Sequence, residues 1–374
     1  MSAKLKQTLT HSWQHIQYNL FPWIEVAIGR LTEKNQQLVT ILEMIKLEHF
    51  IPTPKPSVGR PRCNRQAIAR ASIAKAIHNL PTTRSLIERL NADTQLRQLC
   101  GWEYYDSLPD EATFSRVFAE FAESKLTEKI HEKLIHSYQS DRLIEHISRD
   151  STAISAREKP KKKPIEEAGN TNPKRKRGRP KKDDPPVEKA LTRIDKQLKM
   201  SSTGEMLDDL PKSCDVGAKT NSKCHMLTWC GYKLHIDTAD GDIPISCILT
   251  SASLHDSQVS IPLAKMTDEQ VMYCYELMDS AYDSIQLRQY CLNLGHVPII
   301  DFNRRSSNDQ RQFESFEKER YKHRSAAERV NSDLKDNLGG RCVRVRGHAK
   351  VMCHLMFGII ALTVKQIFRL LKPG

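Results

Sequence analysis

The stretch YKHRSAAERVNSDLK places Tyr321, Arg324, Glu328 and Lys335 at separations of three, four and seven residues. On a helix of 3.6 residues per turn these four fall within an arc of roughly 60°, so one face displays a carboxylate flanked by donors. Ala327, Val330, Leu334 and Leu338 gather on a different side and give the helix an apolar stripe to pack with. Two aspartates upstream extend the set. Asp150 lies within the strand-like segment HISRDSTAI, where a bare carboxylate is unfavourable without a partner. Asp279 ends CYELMDSAYDS, at the point where a strand gives way to a turn and helix. Two strand-borne aspartates and one helix-borne glutamate, converging at one end of a sheet, are the parts needed to hold two divalent cations. Mg²⁺, or Mn²⁺ in its place, keeps several waters in such a site. A pair of these ions activates a water or a 3′-hydroxyl and stabilises the leaving oxygen in an in-line attack on a phosphodiester.

Taken singly, each acid has an ordinary alternative. Asp150 is also placed for a salt bridge, Asp279 for a helix N-cap, and Arg324 with Glu328 for an exposed i, i+4 pair of small value. Asp283, four residues on, rivals Asp279; the strand end favours Asp279.

The elements that must carry these residues follow from hydrophobic period. Residues 1–140 read as helical, most clearly at Phe114, Val117, Phe118 and Phe121 after the start signal Ser107, Pro109 and Asp110. A proline-rich stretch at 51–61 separates a first helical segment from a run at 66–80, and Pro81, Thr82 and Thr83 open a short helix to Leu90. Short helices with tight turns and surplus arginine fit a helix-turn-helix module, with Gly59, Arg60, Pro61 and Arg62 as an arm for a DNA groove. A helical cap on the next domain fits equally well. From residue 143 the period changes, with β-rich segments near 143–154, 231–237, 243–250 and 271–278. A helix at 284–294, a strand at 297–301 and the motif helix follow. The expectation is an α/β (α+β) chain: an all-helical N-terminal DNA-binding domain at 1–140 and a mixed-sheet catalytic domain at 141–374.

Net charge is +13 over 374 residues, which points to a polyanionic partner, nucleic acid first. Between Arg157 and Lys182 stand twelve Lys/Arg against three Glu, so a short insert holds most of that excess. The segment 157–223 is rich in Lys, Pro and Asp and is expected to be disordered when free. Its basic run includes Lys174, Arg175, Arg177 and Arg179, and the Arg-Gly-Arg-Pro centre suits a narrow minor groove. Arg341, Arg344, Arg346 and Lys350 form a second basic cluster, placed either for phosphate contact or as a charged edge strand.

None of the ten cysteines forms a Cys-x-x-Cys pair, so Cys214, Cys224, His225 and Cys230 make a weak metal case. Trp229 beside a strand reads as a packing residue before a base-stacking one. The N-terminus lacks a signal-peptide apolar core, and the apolar run 355–364 is too short to span a bilayer. A soluble, cytoplasmic protein without a membrane partner is expected.

With these motifs in view, the chain resembles bacterial insertion-sequence transposases of the DDE type. Tyr321, Arg324, Glu328 and Lys335 match the Tyr-x2-Arg-x3-Glu-x6-Lys signature of the insertion-sequence-4 group. Asp279 to Tyr282 looks like the motif around that family's second aspartate, and Asp150 looks like the first. GYKLHI, ILTSASLHDS and RVRGHAKV extend the likeness over most of the chain. The resemblance implies an RNase H-like catalytic domain, with Asp150, Asp279 and Glu328 as catalytic metal ligands. It implies phosphate contacts from Arg324 and Lys335, and a hydrogen bond or base packing from Tyr321. It further implies binding of terminal inverted repeats and target DNA by a homodimer, associated with the nucleoid. One departure is a gap of only 49 positions between Asp279 and Glu328, where many relatives carry a β-rich insertion associated with hairpin intermediates. The rival readings are a non-enzymatic DNA-binding protein of the same descent and a metal-dependent nuclease without strand transfer.

Overall fold

A computed structural model describes residues 3–52, 63–103, 105–160, 191–220, 225–302 and 312–370. Its N-terminal third is helical because the sequence supplies a cap at nearly every turn. Thr32, Asn64, Thr82, Asp93 and Asp110 each accept a hydrogen bond from a backbone N–H two or three residues into the helix that follows. Capping of this kind permits short helices such as Arg65–Ile77, Thr83–Ala92 and Glu111–Glu123. These do not build a core of their own. Ile68, Ile73, Leu86, Phe114 and Phe121 belong to one apolar cluster with strand residues and with the last helix, His348–Arg369.

That last helix is long and apolar enough to cross a membrane, contrary to the reading of its apolar run as too short. However, 94% of its apolar window is buried inside the fold. It is the central post on which the N-terminal helices, the sheet and the glutamate-bearing helix all lean. Gly358 permits the closest approach, since a Cβ there would meet Leu338 O at 2.7 Å and the Leu334 side chain at 2.8 Å.

Six strands form the sheet: β1 (Leu143–Ser155), β2 (Asp215–Thr220), β3 (Met226–Ala239), β4 (Ile243–Ser251), β5 (Met272–Met278) and β6 (Val297–Ile300). The order is β2-β3-β1-β5-β6, with β4 also on β3. β1, β3 and β4 pair antiparallel, whereas β5 joins β1 and β6 joins β5 in parallel. This mixed sheet, with helices packed on it, is an RNase H-like α+β arrangement. At Gly231, φ is +154° and a Cβ would lie 2.2 Å from Ile154 O, so β1 and β3 close on each other only because that position has no side chain.

Two expectations need correction. Within the segment 157–223, residues 191–220 are folded: helices Arg193–Gln197 and Thr203–Asp209 precede β2. Met206 packs with Met278 and Tyr282, and Leu210 with Ile248 and Leu254, so a few apolar anchors suffice against a polar background. The basic run with Lys174, Arg175, Arg177 and Arg179, and the arm at Gly59 to Arg62, lie outside the described residues. The motif helix is also not continuous. Helix Ser315–Tyr321 passes through a 3₁₀ turn, Lys322–Arg324, into helix Ser325–Asn337. Tyr321 and Arg324 therefore precede the helix that bears Glu328 and Lys335.

Candidate active site

Strand β1 passes through the middle of the sheet and sends alternate side chains to opposite faces. Ser148 and Asp150 point toward the 3₁₀ turn Lys322–Arg324 and the helix Ser325–Asn337: Ser148 donates to His323 O at 3.0 Å, and Asn331 donates to Asp150 Oδ2 at 3.0 Å. β1 and β5 run parallel with Ser148 opposite Leu277, and continuing that register sets Asp150 opposite Asp279. Asp279 caps the turn Ser280–Tyr282, accepting from Ala281 N at 3.0 Å. Its rival Asp283 is paired with Arg288 at 2.9 Å. The N-cap alternative for Asp279 thus coexists with a place beside Asp150.

Both carboxyls are held above the ordinary carboxylate range, first by burial. For Asp150, the Asp279 charge adds to burial, while the Ser151 backbone N–H, Lys219 and Arg324 oppose it. For Asp279, Asp256 adds to burial, while the Ala281 N–H, Arg324 and Lys219 oppose it. Burial outweighs the nearby cations and backbone donors at both carboxyls. A divalent cation suits that donor set, and Asn331 Oδ1, buried without a hydrogen-bond partner, is a further oxygen at the same place.

Glu328 is carried to the rim of this pair by a helix whose Ala327, Val330 and Leu334 are buried against the core. Its carboxylate is about half exposed and ion-paired with Arg324, so the ordinary i, i+4 reading is also realised. Arg324 lies 5.8 Å from the Tyr321 ring centroid and bears on Asp150 and Asp279. Tyr321 packs on Phe313 at 4.8 Å, and burial pushes its phenol up to about 12. Lys335 is lowered from the usual lysine value, by burial first and then by Arg341 and Lys219. Arg341 itself is ion-paired with Asp336. Arg344 and Arg346 lie on an extended stretch without strand pairing, so the edge-strand alternative falls.

Sequence reasoning missed Lys219, Asp256 and Asn331. Asn331 stands one turn from Glu328, a spacing that offered a signal. Lys219 lay in a segment read as disordered. Asp256, in the LHDS stretch, accepts from Ser151 at 3.0 Å and from Lys233 at 2.8 Å, a pairing that only the folded sheet creates.

Other candidates resolve differently. Trp229 is a packing residue: it lies over Gly217 of β2 and donates to Tyr232 O at 3.0 Å. Cys214 and Cys230 approach to 3.6 Å, while Cys224 lies outside the described residues. Among the described residues one group of His, Cys, Asp and Glu offers three ligand atoms within 4.8 Å of one another: His146, Asp240 and His323. It is not the acid set. Arg320 donates to His146 Nε2 at 3.3 Å, which leaves Nδ1–H to donate to Asp240 at 3.1 Å; the imidazole is satisfied by protein alone.

Residues 141–364 match the family model described as "Transposase DDE domain", and residues 26–120 match "Transposase domain (DUF772)". No curated protein and no solved structure matches the chain significantly.

Proposed function

The chain belongs to the transposase DDE-domain family and is a transposase, and from that premise we propose that it binds the terminal inverted repeats of an insertion sequence, cleaves the ends and joins them to target DNA. Within that family we place it in the insertion-sequence-4 group on the Tyr321, Arg324, Glu328 and Lys335 spacing. The observation that supports the reading is the placing of two half-buried aspartates, Asp150 and Asp279, opposite each other on neighbouring strands, with Asn331 of the glutamate-bearing helix bonded to Asp150.

Asp150, Asp279 and Glu328 would hold Mg²⁺ or Mn²⁺; DDE transposase domains use divalent metals, and the bound ions polarise the scissile phosphate and lower the pKa of the attacking hydroxyl. Arg324 is a planar fork already aimed into the site. An entering phosphate would compete with Glu328 for that fork, and the freed carboxylate would be available as a ligand. Lys335, partly desolvated, supplies a point charge on the same side. Asn331 fixes the rotamer of Asp150. Two ends must be processed together, so the active species is a homodimer in this proposal. Among the described residues between Asp279 and the helix that bears Glu328 there are two helices, two 3₁₀ turns and β6, without the β-rich insertion tied to hairpin intermediates.

The test is Mg²⁺-dependent cleavage of DNA carrying the element's ends. Asp150→Ala and Glu328→Ala should each cut at least about 10³-fold more slowly while binding DNA as before. Normal cutting by either variant would remove the assignment. A strand-transfer assay on precleaved ends distinguishes a transposase from a nuclease that stops at cleavage, and binding without any metal-dependent cutting would indicate a DNA-binding protein only.

A further inference from the structure

A second concentration of charge lies away from the acids. A cavity of about 340 Å³ opens between the N-terminal helices and the segment that follows the glutamate helix. Its walls carry five cations, Lys75, Arg157, Arg344, Arg346 and Lys350, against one acid, Glu111. That acid is partly taken by Arg84, at 3.6 Å.

The pairing of these cations is unlike that of most arginines among the described residues. Arg65 is held by Glu120, Arg70 by Glu48, Arg149 by Asp237, Arg193 by Asp209 and Arg329 by Asp242. Among the described residues, Arg157, Arg344, Arg346 and Lys350 have neither an ion pair nor a hydrogen-bond partner. Lys75 is largely buried in the cavity wall, and burial pulls its pKa down to about 8. Arg157, Arg344 and Arg346 are exposed at the cavity's rim, so an incoming anion can reach them without displacing a protein partner. The N-terminus of helix Thr83–Ala92, with Thr82 and Thr83 on the wall, adds the positive end of a helix dipole.

We propose that this cavity binds the phosphodiester backbone of DNA flanking the scissile position, so that the helical region and the catalytic region clamp the same strand. The proposal rests on the transposase reading and adds where the DNA runs. A polymeric anion is favoured over a small one by continuity. The chain leaves the acid site at Lys335, passes Arg341, which acts on Lys335, and reaches Arg344 and Arg346 at the cavity within a dozen residues. Phe118, half-buried on the cavity wall, provides apolar surface for sugar or base. Lys75, Thr82 and Thr83 come from the region matched as DUF772, and Arg157, Arg344, Arg346 and Lys350 from the DDE region.

The experiment compares the wild-type chain with Arg157→Ala/Arg346→Ala and with Arg157→Lys/Arg346→Lys. Affinity for duplex DNA is measured by fluorescence anisotropy across a salt series. Both positions are exposed, and a urea midpoint checks that each variant is folded. The alanine variant should bind at least about ten-fold more weakly, with a salt slope shallower by about 2, because two phosphate contacts are lost at roughly 0.9 each. The lysine variant should recover the slope. Unchanged affinity and slope in the alanine variant would overturn the clamp while leaving the acid site untouched. If the wild type bound no DNA at all, the transposase reading itself would fall. A third arm uses inorganic phosphate: if it raises the wild-type thermal midpoint but not that of the alanine variant, while DNA binding is equal in both, the cavity is a small-anion site and the clamp is wrong.

Discussion

Arg149 and Asp150 are neighbours on one strand, yet they belong to opposite kinds of electrostatic environment. Arg149 faces one side of the sheet, where it is 1% exposed and forks onto Asp237 at 2.7 and 2.8 Å and onto Glu276 at 3.2 Å. Thr267 donates to Asp237, and Tyr273 and Cys291 to Glu276, so the acceptors of that network are filled. Burial opposes the Arg149 charge, but Asp237 and Glu276 outweigh it and hold the guanidinium firmly protonated. On the other face, Asp150 and Asp279 have one neutral amide and a few distant cations between them, and their carboxyls are held above the usual range. A closed charge network locks the sheet; an open one leaves room for a cation. A pleat that reverses direction at each residue lets one strand do both.

The largest expected effect is on the closed side. Arg149→Ala strands two acids in the core and should cost about 3–5 kcal/mol in urea unfolding. Replacing the whole network with apolar residues (Arg149→Met, Asp237→Leu, Glu276→Leu) should recover most of that loss, because a buried ion pair gains little over good packing. If the triple variant were as unstable as the single one, the network would be specifying the fold and the comparison would need redrawing.

The open side should respond in the opposite sense. A carboxyl whose folded pKa lies above its unfolded value keeps a proton that the unfolded chain has lost. It therefore weakens the metal-free fold progressively as pH rises from about 4 through the folded pKa. Asp150→Asn and Asp279→Asn should each raise the thermal midpoint of the metal-free protein at pH 7, and the gain should vanish below about pH 4. Added Mn²⁺ should stabilise the wild type and not these variants. A loss of stability at pH 7 would mean that the aspartates are paired after all.

The smallest effect is at the hinge between the two kinds of charge. Asn331→Ala removes the donor to Asp150 and should change stability by only about 1 kcal/mol. End cleavage should slow about ten-fold if orientation matters. Unaltered cleavage would show that Asp150 needs no orienting partner.

Much of this organisation was legible in the chain. Strands β1, β4 and β5 and the helix Ile285–Asn293 follow from period and from turn residues, and Asp150, Asp279 and Glu328 stood out as an acid within a strand, an acid at a strand end and an acid flanked by donors on one helix face. Other features were not legible. The 3₁₀ turn Lys322–Arg324 breaks a pattern that a single period fits equally well. The fold of residues 191–220 hangs on Met206 and Leu210, whose burial partners lie more than thirty residues away. Arg149 looked like one more strand residue, since neither Asp237 nor Glu276 is near it in sequence.

By itself, then, the sequence determined most of the elements and singled out the acids proposed for the site, because both readings depend on residue types at short spacing. Tertiary structure alone decided which acids are neutralised and which remain open. It also decided that Arg157 meets Arg346 at one cavity, and that Asn331 rather than a cation holds Asp150. The physical reason is that charge pairing depends on distance and desolvation in space, and neither is fixed until strands and helices from distant parts of the chain are packed together.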